Sequence, residues 1–285
     1  MFWQCGRYRF ILKPQQPLVM GILNITPDSF FDGGKHTELD QILRHANTMI
    51  ESGADIIDLG AESSRPGATP VSEEDEMARL KPILAALIPI TESANIAVSL
   101  DTYKPAVMQM ALDSGVSILN DITGFTHPKA QKIARDSQAG LVIMHMKGQP
   151  QHMQQNPHYQ NVNQEVWSFL LQQKNQLTQQ GIEANRMVLD PGIGFGKTTQ
   201  HNIELLQQLN QYSQQNPTLI GLSRKRFLGE FGYTPQNETR LPPEKRLSAS
   251  ITANLFATLQ GAHVLRVHDV FETTQSLDIW QRLAR

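Results

Sequence analysis

The chain has a single cysteine, Cys5, in 285 residues. That excludes an intrachain disulfide framework and points to a reducing, cytoplasmic compartment. It also lacks a charge excess, because 25 Lys and Arg against 27 Asp and Glu leave a net charge of −2. A balance this close argues against nucleic acid or an anionic membrane surface as the main partner. No apolar run approaches the roughly 20 residues needed to cross a bilayer. The first ten residues alternate aromatic and basic types and lack the apolar heart of a signal peptide. His and Cys nowhere take a metal-cluster spacing, and no Ser-His-Asp or nucleophilic-cysteine arrangement is legible. The glutamine-dense stretches around 149–180 and 200–215 carry no repeat period and read as solvated loop and helix faces.

What the chain does have is a rhythm of eight short apolar runs, each ending at a polar residue able to do chemistry. Run 18–23 ends at Asn24, run 56–59 leads to Glu62 and Arg65, and run 96–100 ends at Asp101. Run 116–119 ends at Asn120 and Asp121, run 141–144 at His145, and run 187–189 at Asp190. Run 219–222 leads to Ser223 and Lys225, and run 264–267 frames Arg266 and His268. Short runs rich in β-branched residues fit strands buried on both faces, as in parallel sheets. Helical spacing fills most intervals, as in Leu39, Ile42, Leu43, Ala46 and Ile50. Eight such units predict an α/β fold of the closed (β/α)8 TIM-barrel type, with the active site at the C-terminal strand ends. With 40% hydrophobic content, residues 1–285 read as one barrel domain, and residues 1–15 as a terminal β-segment covering the barrel floor.

Three longer loops interrupt the pattern. Residues 26–36 hold Pro27, Asp28, Phe30, Phe31 and Gly33-Gly34, residues 61–72 hold Ser63, Ser64, Arg65 and Gly67, and residues 232–244 are rich in Pro, Asn and Thr. Loops of this composition on a catalytic rim act as lids. The stretch 192–198 superficially resembles a phosphate-binding P-loop. Its spacing is one residue short and Pro191 stands in the first glycine's place, so no nucleotide site is read there. The glycines serve instead to let backbone approach a flat ligand.

Seven strings in register carry a family resemblance: MGILNITPDSF at 20–30, ESSRPGA at 62–68, DTYKP at 101–105, NDI at 120–122, DPGIGFGK at 190–197, SRKR at 223–226 and RVHD at 266–269. Together, in order over nearly the whole chain, they resemble the dihydropteroate synthases. These barrels condense 6-hydroxymethyl-dihydropterin diphosphate with p-aminobenzoate, releasing pyrophosphate in folate biosynthesis. The resemblance implies a transferase, Mg²⁺ as cofactor, two small-molecule substrates and a homodimer.

The resemblance also implies site residues. Asp190 matches the main pterin-gripping carboxylate, which takes the pterin's guanidine-like edge through two parallel hydrogen bonds. Asp101, Asn120 and Lys225 match further pterin contacts, and Ile122, Met144 and Phe195 are placed as apolar walls. Asn24, Arg266 and His268 match the diphosphate site, with Asn24 also near Mg²⁺. Arg65 adds positive charge, and Ser64 stands where relatives carry threonine. Phe30 and Asp32 match positions that cover the aminobenzoate and stabilise a cationic pterin methylene. The aminobenzoate carboxylate is expected near the helix start after Ser223, assisted by Arg226. Asp32, Lys225, Arg266 and His268 are thus the expected catalytic set. Arg266 and His268, two apart on a strand, point the same way, whereas His145 and His263 read as structural.

The plainer reading of Asp190 is a rim carboxylate capping the turn before Pro191-Gly192. Two other readings of the whole chain are a folate-dependent methyltransferase and a silent pterin-binding homologue. A methyltransferase has no diphosphate or aminobenzoate to hold, and a silent homologue would have lost a loop or anion residue. Phe31, Ala61 and Ser64 depart from the usual family pattern. They bear on aminobenzoate affinity and on the response to sulfonamides, for which the family is a target.

Overall fold

The computed structural model describes residues 1–25, 35–62, 70–231 and 240–283, with backbone alone at 35–37. Strands β1 (Phe2–Cys5) and β2 (Tyr8–Ile11) form an antiparallel hairpin, pairing Phe2 with Ile11 and Cys5 with Tyr8. Eight parallel strands follow: β3 (Leu18–Asn24), β4 (Ile56–Gly60), β5 (Ala97–Asp101), β6 (Ile118–Asp121), β7 (Gly140–Met144), β8 (Met187–Asp190), β9 (Leu219–Gly221) and β10 (Val264–Val267). Their order is β8-β7-β6-β5-β4-β3-β10-β9. The ends of that order meet at a bridge between Leu189 and Thr218, where Leu189 N–H donates to the Pro217 carbonyl at 2.9 Å. The sheet is therefore a TIM barrel, with seven full ladders and one junction held by a single bridge.

Helices α1 (Lys35–Glu51), α2 (Glu73–Ser93), α3 (Pro105–Asp113), α4 (Pro128–Asp136), α5 (Val162–Gln179), α6 (Thr199–Gln207), α7 (Asn210–Ser213) and α8 (Leu247–Leu259) lie in the intervals between the parallel strands, and α9 (Val270–Leu283) follows β10. Their starts are written locally. Ser72 caps α2 by accepting Asp75 N–H at 3.0 Å, ahead of four acidic residues that suit the positive helix end. Pro105 and Pro128 open α3 and α4, where a missing N–H costs nothing.

Period two sorts each strand. Outward residues such as Val19, Leu23, Ile57, Leu59, Val98 and Leu100 bury against the helices in the main core. Inward residues at the strand starts, among them Met20, Ile56, Ile118, Val142 and Val188, form a second core with Trp3, Cys5, Tyr8 and Leu12 of the hairpin region. The hairpin thus packs on the barrel floor. A Cβ on Gly140 would run into the Cys5 thiol, so β7 can start against the hairpin only with glycine there. The same inward faces, further along, turn polar.

Candidate active site

A recess of about 330 Å³, open mouth included, lies at the C-terminal end of the barrel. Asp101, Asn120 and Asp190 line it with acceptors and an amide, Lys225 and Arg266 with cationic donors, and Ile122, Met144 and Phe195 with apolar surface. These three apolar residues share a small buried cluster with Met153. Eight of the residues expected from the sequence therefore meet in one cavity.

Asp190 ends β8 with only 6% exposure. Its Oδ1 accepts the Gly192 N–H at 2.7 Å, so it does cap the following turn while also lining the recess. Burial raises its pKa, against the opposing pull of that N–H and of Lys225. Lys225 follows β9, its Nζ 4.2 Å from the centre of the Phe195 ring, a cation held over an aromatic face. Burial and the neighbouring Arg266 lower its pKa to about 8, while Asp190 and Asp101 pull the other way. It stays largely protonated at neutral pH and acts as a donor.

Arg266 turns into the barrel. Its Nε donates to Asp58 Oδ2 and its Nη2 to Asp101 Oδ2, both at 2.6 Å. Burial opposes its charge, but the two carboxylates outweigh that and raise its pKa. Asp101 is raised in turn, because burial, Asp58, Glu76 and Asp121 outweigh the one guanidinium. His268, two residues on, has its N–H and Nδ1 at 3.1 and 3.0 Å from Ser223 Oγ. Burial, then Arg224 and Arg266, lower its pKa to about 3. It is therefore a neutral hydrogen-bonding imidazole, and the formal positive charge of the pair belongs to Arg266. Asn24 ends β3 half-buried, its Oδ1 3.4 Å from where a Gly60 Cβ would stand, with Asp101 Cβ 3.8 Å from the same point. Arg226 opens a short 3₁₀ turn (Arg226–Glu230), exposed and outside the recess lining. Phe30, Phe31, Asp32, Ser64 and Arg65, with most of their loops, lie outside the described residues, as do 232–239 of the third loop.

The glycine-rich stretch after Asp190 is held from both sides. Gly192, at φ +66°, has no room for a Cβ beneath the His145 carbonyl. The N–H groups of Gly192, Gly194 and Phe195 already bond Asp190, Asn202 and the Gly192 carbonyl, so they are not free to cradle a phosphate. Lys197, 3% exposed, lies 3.0 Å from both the Phe195 carbonyl and His145 Nδ1, and 3.4 Å from the His145 carbonyl. Three neutral acceptors match the three donors of one ammonium. With no carboxylate in contact among the described residues, burial brings its pKa down to about 7. His145, lowered to about 3 by burial and Lys197, is neutral and can accept at Nδ1.

Sequence reasoning missed three groups. Asp58 hid inside an apolar run, although its place midway between Ile56 and Gly60 put it on the inward face. Lys197 falls within the string 190–197 and within the stretch that fails as a P-loop, and neither gives it a role. The third is a buried cluster at the root of the second loop. Lys104 Nζ donates to Glu62 and, at 2.5 Å, to the fully buried Glu76, while Tyr103 O–H also reaches Glu62 at 3.3 Å. Among the described residues, no group of three or more His, Cys, Asp or Glu side chains is arranged to hold a metal. None of the described helices is long and apolar enough to cross a membrane.

The family model described as "Pterin binding enzyme" matches residues 20–268. The dihydropteroate synthase of Escherichia coli (strain K12) is 42% identical over 269 residues, covering 94% of this chain and 92% of that protein. Among solved structures, Xanthomonas albilineans dihydropteroate synthase with 4-aminobenzoic acid superposes with a TM-score of 0.87 at 39% identity, covering 99% of this chain and 98% of that one. Burkholderia cenocepacia dihydropteroate synthase complexed with 7,8-dihydropteroate gives 0.85 at 41% identity, covering 99% and 96%.

Proposed function

The chain belongs to the pterin-binding enzyme family, with the dihydropteroate synthases, and from that premise we propose how its rim performs their reaction. It is a transferase that condenses 6-hydroxymethyl-dihydropterin diphosphate with p-aminobenzoate to give dihydropteroate and pyrophosphate. The observation that carries the assignment of roles is the recess itself, where two carboxylates, an amide and two cations face one another between apolar walls.

Asp190 takes the pterin's donor edge through two hydrogen bonds, with Asn120 and Asp101 completing the rim of that edge. Lys225 donates to the ring carbonyl and ring nitrogen, and Phe195, Met144 and Ile122 cover the ring faces. The methylene C–O bond breaks as pyrophosphate departs with the bonding pair, and the electron-rich ring shares the positive charge. The aniline nitrogen then forms the new C–N bond and loses a proton to solvent or to the departing pyrophosphate. Donors aimed at the leaving group count most at this stage, because its charge grows as the bond breaks. Arg266 supplies a cation there and His268 a neutral N–H. Phe30 and Asp32 are assigned to cover the aminobenzoate, whose carboxylate would lie near Ser223 with Arg226 to hand, Ser64 is assigned to substrate binding, and Arg65 to adding positive charge or helping to close the site.

Asn24 offers one neutral oxygen, which fits Mg²⁺ only in company with substrate phosphate oxygens. When bound with the diphosphate, the ion supplies charge neutralisation of the leaving group. A homodimer is the family expectation, supported by exposed Phe256 and Leu259 on α8 and Phe271 and Ile279 on α9. A lone buried Cys5 suits the cytoplasm.

Pyrophosphate release by the purified protein, measured with both substrates and Mg²⁺ and with each omitted in turn, tests the reading. Release that requires all three supports it. Tight pterin binding without release would identify a silent homologue instead.

A further inference from the structure

We propose that Asp58 is a positioning residue for this reaction, holding the Arg266 guanidinium in the pterin recess from beneath and, through it, the Asp101 carboxylate. The proposal rests on the pterin reading of the recess. Asp58 sits at the middle of β4, fully buried, one inward step above the apolar floor residue Ile56 and one below the rim position Gly60. A carboxylate at that depth is expensive unless paired. Its partners are the two recess residues that reach down to it, Arg266 through Nε at 2.6 Å and Asn120 through Nδ2 at 3.4 Å. Arg266 arrives from β10, two strands away in the barrel order.

The fork of the guanidinium makes the arrangement directional. With Nε fixed on Asp58 and Nη2 on Asp101, the plane of Arg266 is set by two bonds, and among the described residues Nη1 has no partner, which leaves it for a ligand. One cation also serves two carboxylates and engages Asp101 through Oδ2, so the ionised carboxylate can still take a guanidine-like pterin edge. Without the Asp58 charge, Arg266 would pair with Asp101 alone and occupy the acceptor that the pterin needs. Among the described residues, the charged groups that act on Asp101 are Asp58 from β4, Glu76 from α2, Asp121 from β6, Arg266 from β10 and Lys225 after β9. Removing the Asp58 charge therefore lets Asp101 ionise at lower pH.

Asp58→Asn keeps the shape and removes the charge. Calorimetry with 6-hydroxymethyl-dihydropterin diphosphate is expected to show about tenfold weaker binding, the loss of one charge-assisted contact. The KM for p-aminobenzoate stays at the parental value, and the acid limb of pterin binding moves to lower pH. In a double-mutant cycle, Asp58→Asn added to Arg266→Met costs nothing beyond Arg266→Met alone, because the effect runs through Arg266. Arg266→Lys, which keeps the charge and loses the fork, reproduces the weakened binding and serves equally should Asp58→Asn not fold. Parental affinity and an unmoved acid limb in Asp58→Asn, additive losses in the cycle, or parental affinity in Arg266→Lys would each overturn the proposal. The parent protein's own pyrophosphate release reports on the enzyme assignment, whereas variant-to-parent ratios report on Asp58, so the two fail separately.

Discussion

The floor and the rim of the barrel are made by the same strands and have opposite chemistry. At the floor, Met20, Ile56, Ile118, Val142 and Val188 meet the hairpin residues Trp3 and Tyr8 in a dry core. Along the same inward faces the side chains become Asn24, Asp58, Asn120, Met144 and Asp190, with Lys225 and Arg266 among the residues lining the same recess. The floor gains stability from area removed from water. The rim gives up stability by burying charge, and keeps that charge oriented for a ligand. Substitutions at the two ends should therefore separate folding from function.

The largest effect is expected at the floor. Trp3 is fully buried and its Nε1 donates to the Arg186 carbonyl at 3.0 Å. Trp3→Ala should cost about 3–5 kcal/mol of unfolding free energy, read by urea denaturation, with unchanged KM values at a temperature where the variant remains folded. Next comes the rim. Asp190→Ala should weaken pterin binding by at least ~100-fold, the loss of two charge-assisted hydrogen bonds, while the melting temperature holds or rises. An unchanged calorimetric affinity would remove Asp190 from the pterin site.

A third test crosses the two regimes through Lys197, a buried rim cation. Its folded pKa of about 7 lies below its ordinary 10.5, so between those values the unfolded chain holds a proton that the native state does not. Stability therefore rises with pH across that window, by up to ~1.4 kcal/mol per pH unit. Lys197→Met should flatten the slope by that share, and urea midpoints at several pH values across the window would check it. The smallest effect is expected at Cys5, whose thiol pKa burial raises. Cys5→Ala should cost about 1 kcal/mol and leave both substrates' KM unchanged. The native thiol should resist a thiol reagent until the protein unfolds.

The barrel was legible because strands buried on both faces are short and continuously apolar, so each run showed its own end. Run 264–267 became β10 (Val264–Val267) unaltered, while run 116–119 began two residues ahead of β6 (Ile118–Asp121). Asp101, Asn120, Asp190 and Lys225 were legible because polar residues at strand ends stand out against such runs. Asp58 was not, since a single acid between Ile57 and Leu59 reads as an interruption until the facing Arg266, 208 positions away, is seen. Lys197 and His145 are 52 residues apart, and Lys104 and Glu76 are 28 apart. Pairings of that kind are set by the closure of the ring, not by local spacing.

That closure is uneven. Where β8 meets β9 the ring is joined by one bridge, and the strands on its two sides lead directly to Asp190 and Lys225. No ladder of hydrogen bonds dictates how far apart those two groups stand. A pterin that engaged both, as proposed above, would act as a clasp across that joint. Filling the site would also be the last step in finishing the cylinder.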